Sequence, residues 1–207
     1  MRLYDSTIPS GNAYKVRLLL AQLGITYDVT ELDILATPSE TRRPEFLAVN
    51  PNGRIPVLEF DDGRRLAESN AILYYLTEGT PLLSRDRFER AETLQWMFFE
   101  QYSHEPYVAV LKFWTYWGGL ERVPPADLER WRQRGQQALE VMETHLGSRT
   151  FFVAESYGIA DIALFAYTQS ADAIGLRTGP ALRAWLERVR DQPGYVPIKA
   201  DPLGRVP

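Results

Sequence analysis

Apolar and polar positions divide this chain into two textures. Near the start, Arg2 to Asp5 reads as a short strand, and Ser6 to Asn12 is a loop of turn-forming residues. A helix beginning near Ala13 follows, because Val16, Leu19, Leu20 and Leu23 fall on one face and Gly24 stops it. Ile25 to Leu32 predicts a second strand, and residues 36–54 predict a loop with at most one helical turn. Ile55 to Phe60, Asp61-Asp62-Gly63 and Arg64 to Ala67 spell a hairpin, with Pro56 at the strand's start where no ladder bond is lost. Asn70 to Leu76 is helical, and Ser69 is a suitable N-cap. Residues 1–77 therefore read βαβ followed by ββα, a mixed sheet with helices.

Residues 78–87 form a linker, after which every pattern is helical. Residues 88–117 predict one long aromatic helix or a bent pair, with Pro106 as kink or break and Gly118-Gly119 as stop. Leu128, Trp131, Leu139, Met142 and Leu146 mark a second helix. Residues 158–167 are apolar on nearly every side, which predicts a central, buried helix. Leu182, Trp185, Leu186 and Val189 give a last amphipathic one. Residues 194–207 contain three prolines and two glycines and predict an irregular tail of the helical domain.

Composition narrows the chemistry. The chain has 207 residues, 45% hydrophobic and 24% charged, with a formal net charge of -4. Nothing global favours nucleic acid or an anionic membrane. No apolar run is long enough to span a bilayer and the start lacks a signal-peptide pattern, so a cytoplasmic protein is expected. With no cysteine and only His104 and His145, the chain offers no disulfide, no thiolate metal site and no cysteine nucleophile. Any thiol chemistry needs a thiol carried in by a ligand.

Four segments, in order, resemble the cytosolic glutathione S-transferases. They are Ser10-Gly-Asn-Ala-Tyr-Lys-Val-Arg-Leu18, Asn50-Pro-Asn-Gly-Arg-Ile-Pro56, Glu68-Ser-Asn-Ala-Ile-Leu-Tyr-Tyr-Leu76 and Gly158-Ile-Ala-Asp161. The resemblance covers nearly the whole chain. It implies an α/β thioredoxin-like N-terminal domain (1–77) with a mixed four-stranded sheet, and an all-α domain over 88–207. It further implies glutathione as co-substrate, no prosthetic group, no metal, a small electrophilic second substrate and a homodimer packing across the 88–117 helix.

The same likeness assigns roles. Ser10 sits where the family's serine or cysteine lies and is the first candidate donor to the glutathione thiolate; the Asn12 amide is the second. Lowering a thiol pKa by two units takes about 3 kcal/mol. A charge-assisted hydrogen bond of about 1.5–3 kcal/mol plus a helix N-terminus at about 0.3–1 kcal/mol supplies that without a general base. Ser10 is equally suited to capping its helix, and the two tasks compete for one hydroxyl. Many relatives carry cysteine at the position of Ala13, so covalent thiol chemistry on the protein is not expected.

Ile55-Pro56 matches the family's cis-proline, whose preceding residue pairs its backbone with the glutathione cysteine. Arg54 would clamp the glycine carboxylate, or else be a solvated charge. Glu68 would hold the γ-glutamyl ammonium and Ser69 the γ-glutamyl carboxylate. Lys15 and Arg17 read as solvated-face or dimer residues. Tyr107, Phe113 and Trp114 are candidates for the electrophile site, with His104 on a polar stretch facing a cleft or interface. Gly158 departs from the usual Ser or Thr, leaving Asp161 half of a capping box and implying a modest loss of stability. Glutathione-dependent reduction of disulfides or peroxides, isomerisation of a small dicarboxylate, and a non-enzymatic binding module are the alternatives.

Overall fold

The computed structural model describes residues 1–200. It divides into two compact units, Met1–Glu78 together with residues 193–200, and Gly79–Gln192. The sequence-based assignment of everything after 88 to the helical domain differs here for residues 193–200. Tyr14 Oη donates to the Val196 carbonyl at 2.8 Å, and Lys199 Nζ donates to Glu31 Oε1 at 2.5 Å and to the Ser6 carbonyl. These polar contacts tie the returning chain to the front unit, a pairing that no local pattern encodes. The remainder of the expected tail, residues 201–207, lies outside the described residues.

The front unit contains β1 (Arg2–Ser6), α1 (Gly11–Gln22), β2 (Asp28–Leu32), the short α2 (Pro44–Leu47), β3 (Val57–Glu59), β4 (Arg65–Ala67) and α3 (Ser69–Leu76). The sheet order is β2-β1-β3-β4, with β1 parallel to β2 and antiparallel to β3, and β3 antiparallel to β4. This is the expected four-stranded thioredoxin-like arrangement. Leu3 and Leu58 from the central strands meet Val16 and Leu20 of α1 and Ile72 of α3, all buried. The 3.6-residue period of each helix and the two-residue period of each strand place these side chains on facing surfaces.

The helical unit contains α4 (Arg87–Phe99), α5 (Glu105–Phe113), α6 (Pro125–Leu146), α7 (Ile159–Thr168) and α8 (Pro180–Arg190). The expected aromatic helix is interrupted by a π-turn at Glu100–His104, and a second π-turn at Trp114–Gly118 ends it. Pro106 has no N–H for the helix ladder, and the widened turn just before it absorbs that loss. Every residue of α7 is buried, as its unbroken apolar pattern predicts. Trp96, Phe152, Phe165 and Trp185 pack edge-to-face in the same core. Asp161, wholly buried, accepts from the backbone N–H groups of Phe152 (3.2 Å) and Gly158 (3.0 Å) and from Trp185 Nε1 (2.8 Å). No helix among the described residues is long and apolar enough to cross a membrane.

Candidate functional site

Sheet register gathers the predicted ligand residues at one end of the front unit. Tyr4 pairs with Val57, and Val57 pairs with Ala67, in successive antiparallel ladders. The C-terminal end of β1, the N-terminal end of β3 and the C-terminal end of β4 are therefore neighbours. The next residues along the chain from those ends are the Thr7–Asn12 loop, Ile55-Pro56 and Glu68-Ser69. The starts of α1 and α3 meet there too, because both helices pack on the same Leu3–Leu58 face.

The loop leaving β1 is held by short local bonds. Ser6 Oγ donates to the Ile8 carbonyl at 2.6 Å and accepts from the Ile8 N–H at 3.1 Å, while Asp5 Oδ1 accepts from the Ser6 N–H at 2.6 Å. Asp5 is buried, and that burial raises its carboxyl above the usual range against the pull of Lys199 and Arg17. Ser10 is the N-cap of α1 with extended backbone, its Oγ accepting from the Ala13 N–H at 3.3 Å. The cap uses an oxygen lone pair, whereas donation to a thiolate uses the O–H. A hydroxyl provides both, so capping and activation are compatible rather than competing. No acidic residue stands in the first turn of α1 to oppose an anion.

Asn12 and Ser69 are in direct contact, although 57 positions apart: Ser69 Oγ donates to Asn12 Oδ1 at 3.1 Å. Lys15 Nζ donates to the same oxygen at 2.8 Å. Lys15 is 0% exposed, which corrects its reading as a solvated or interface residue. Its position on α1, flanked by the buried Tyr14 and Val16, carries the ammonium inward. A polar residue directly preceding a helix's apolar stripe is the one sequence signal that could have flagged it.

Ser69 is buried but is not the N-cap; it is the first residue of α3. The Ile72 N–H bonds to the Glu68 carbonyl at 3.0 Å, so the helix ladder starts one residue earlier than the side-chain pattern suggests, and Glu68 holds the cap position. Glu68 is exposed and has φ 66°, a left-handed conformation uncommon outside glycine and asparagine. The Ile55-Pro56 bond is cis. Arg54 is exposed; its carbonyl accepts from Asn50 Nδ2 at 2.8 Å, closing the Asn50–Gly53 turn. Gly53 in that turn has φ 60°, and a Cβ there would stand 2.9 Å from the Thr41 carbonyl oxygen, so glycine is required.

Tyr107, Phe113 and Trp114 belong to the helical unit, all half-buried on α5 and the π-turn after it, with Phe113 and Trp114 edge-to-face at 5.8 Å. His104 does not line a surface of that unit. It is fully buried, its Nε2 3.0 Å from Thr168 Oγ1 on α7. Among the described residues no three histidine or acidic side chains gather as a metal site would require.

Known proteins resemble the chain over both units. Residues 9–78 match the family model for the glutathione S-transferase N-terminal domain, and residues 125–188 match that for the C-terminal domain. The chain is 32% identical over 203 residues to the disulfide-bond oxidoreductase YfcG of Escherichia coli, covering 93% of each protein. It superposes with a TM-score of 0.89 on the crystal structure of a possible glutathione S-transferase from Rhodopseudomonas palustris, at 48% identity, covering 98% of this chain and 93% of that one. It also superposes on Ure2p in complex with glutathione with a TM-score of 0.83, at 26% identity, covering 93% of this chain and 95% of that one. With both halves of the domain pair matched in order and the predicted ligand residues gathered at one end of the sheet, the chain belongs to the glutathione S-transferase family.

Proposed function

We propose that the front unit binds glutathione and that the protein stabilises its thiolate for attack on a small electrophile. The observation that carries this reading is the meeting of two helix starts. Ser10 caps α1, Asn12 lies in its first turn, and Asn12 is bonded to Ser69 at the start of α3. In this reading Ser10 donates its hydroxyl proton to the sulfur, with the Asn12 amide as second donor. The backbone of Ile55, ahead of cis-Pro56, pairs with the cysteinyl residue. Ser69 and the α3 backbone receive the γ-glutamyl carboxylate, Glu68 takes the ammonium, and the exposed Arg54 reaches the glycine carboxylate. Tyr107, Phe113 and Trp114 are the residues proposed for the electrophile. Catalysis is then electrostatic placement of an anion, with no covalent intermediate on the protein. A neighbour solved with glutathione supports the ligand class.

The similarity to YfcG, named a disulfide-bond oxidoreductase, favours a second reading on the same site, in which the bound thiolate attacks a disulfide and a second glutathione completes the reduction. Titration calorimetry with glutathione tests what both readings share, and absence of binding overturns both. Turnover of 1-chloro-2,4-dinitrobenzene against that of 2-hydroxyethyl disulfide separates them. Faster reduction of the disulfide assigns the protein to the second.

A further inference from the structure

The segment that returns to the front unit runs alongside the helix that follows Ser10. Gly194 lies on the last turn of α1, where a Cβ would stand 2.9 Å from the Gln22 Cα. About two turns earlier on that helix, Tyr14 Oη donates to the Val196 carbonyl at 2.8 Å. Ile198 is buried, and Lys199 reaches the C-terminal end of β1. There its ammonium donates to the Ser6 carbonyl, stands 3.7 Å from Asp5 Oδ2 and donates to Glu31 Oε1 on β2 at 2.5 Å. Asp5 and Ser6 are buried, and the Ser10 loop departs from them. Asp5 Oδ1 accepts from the Ser6 N–H at 2.6 Å, so the Asp5–Lys199 pair grips both polar groups of the Ser6 backbone. Burial drives the Asp5 carboxyl toward its neutral form; Lys199, and Arg17 at 4.0 Å, oppose this and keep the carboxylate that holds Ser6. From Ser6 onward the path is stiff. Ser6 Oγ bonds both the N–H and the carbonyl of Ile8, and Pro9 fixes φ directly before Ser10. A shift at Ser6 is therefore carried to Ser10 and not absorbed in between.

We propose that Lys199 is a positioning residue for Ser10: by bracing Asp5 and the Ser6 carbonyl, it fixes where the Ser10 hydroxyl meets the glutathione sulfur. This role rests on the glutathione reading above. It is indirect, exerted through the end of β1 and not through contact with substrate. Hydrogen bonding to a thiolate depends steeply on donor placement, so a loop held at its root by a distant lysine keeps the donor in its productive geometry.

The test is a double-mutant cycle of Lys199→Met and Ser10→Ala in the full chain. Two quantities are read: glutathione affinity by calorimetry, and the thiol pKa of the glutathione complex by difference absorbance against pH. Lys199→Met is expected to raise that pKa by about 0.5–1 unit, a three- to tenfold loss of thiolate at a pH below it, with the glutathione Kd changed by less than about threefold. In the Ser10→Ala background the same substitution is expected to move the pKa by less than about 0.3 unit, because the donor it positions is gone. Lys199→Arg, which keeps a cationic donor, is expected to return the pKa to within about 0.3 unit of native. A native thiol pKa in Lys199→Met, or an equal rise in both backgrounds, overturns the proposal.

Should Lys199→Met not fold, Asp5→Asn answers from the other side of the pair. Asparagine keeps an oxygen for the Ser6 N–H but turns an N–H toward the Lys199 ammonium, which has only donors. A raised thiol pKa in Asp5→Asn supports the proposal, and a native one overturns it. Failure of the native protein to bind glutathione in calorimetry would be seen before any variant is compared, and overturns the functional reading and this inference together.

Discussion

Replacing Ser10 by alanine removes both its cap bond and the hydroxyl proposed to donate to the glutathione sulfur. The cap bond from the Ala13 N–H is long, at 3.3 Å. Its loss is expected near the low end of N-cap substitutions, about 0.5–1 kcal/mol of stability. A charge-assisted bond from the O–H to a thiolate is worth about 1.5–3 kcal/mol. At about 1.4 kcal/mol per unit, Ser10→Ala should raise the pKa of bound glutathione by about one to two units. Ser10→Gly sharpens the test, because glycine at an N-cap costs only a few tenths of a kcal/mol. It should leave stability near native while raising the thiol pKa as far as alanine does. The assay is the ultraviolet difference absorbance of the glutathione complex titrated against pH, beside urea unfolding of each variant. A thiol pKa equal to native in both variants would refute the assignment of Ser10 and leave Asn12 as the principal donor.

Three further outcomes follow from the helical unit. Lys112 is 2% exposed, its ammonium has no hydrogen-bond partner among the described residues and lies over the Tyr167 ring at 5.5 Å, and burial lowers its pKa from 10.5 to about 8. Below about pH 8 the folded and unfolded states are both charged and the penalty is full, about 3 kcal/mol. As pH rises toward 10.5 the folded state has already released its proton and native stability climbs. Lys112→Met should thus stabilise the protein at neutral pH by about 1–2 kcal/mol after loss of the cation–π contact, with the gain shrinking near pH 10 in urea unfolding. Gly158→Ser restores a good capping residue on paper, yet a Cβ there would stand 2.9 Å from the Leu82 carbonyl oxygen; a lower melting temperature is expected, and a higher one would refute the steric account. Glu143 accepts from the Ala181 and Leu182 N–H groups at 2.9 and 2.8 Å, and Glu143→Ala should cost about 1–3 kcal/mol, measured by chemical unfolding.

The legible part of the candidate site was its likeness to the family, in which the Ser10–Leu18 and Glu68–Leu76 segments point to Ser10, Asn12 and Ser69. The helix starting one residue early at Glu68 escaped notice because the cap there is made by backbone geometry, with φ 66°, and not by a side-chain signature. Lys15 departs from the expectation because a charge on a helix is ordinarily solvated, whereas here its ammonium is buried and donates to Asn12. His104 was placed at a surface because its flanking residues are polar; its partner Thr168 is 64 positions away.

Periodicity determined by itself the two textures, the order of strands and helices and the buried character of α7, because each is a property of neighbouring residues. Absence of cysteine determined that any thiol must come from outside. Tertiary structure alone decided what depends on contacts between distant positions. It brought Ser69 to Asn12, turned Lys15 inward and returned Lys199 to the front unit. It also let Glu143 cap a helix whose own Gly179 has no side chain to do so, and brought the Leu82 carbonyl so near Gly158 that no other residue fits. Lys15 apart, whose bond to Asn12 is local, the partner in each case lies tens of residues away, and interior packing and hydrogen-bond satisfaction select it only once the chain has folded.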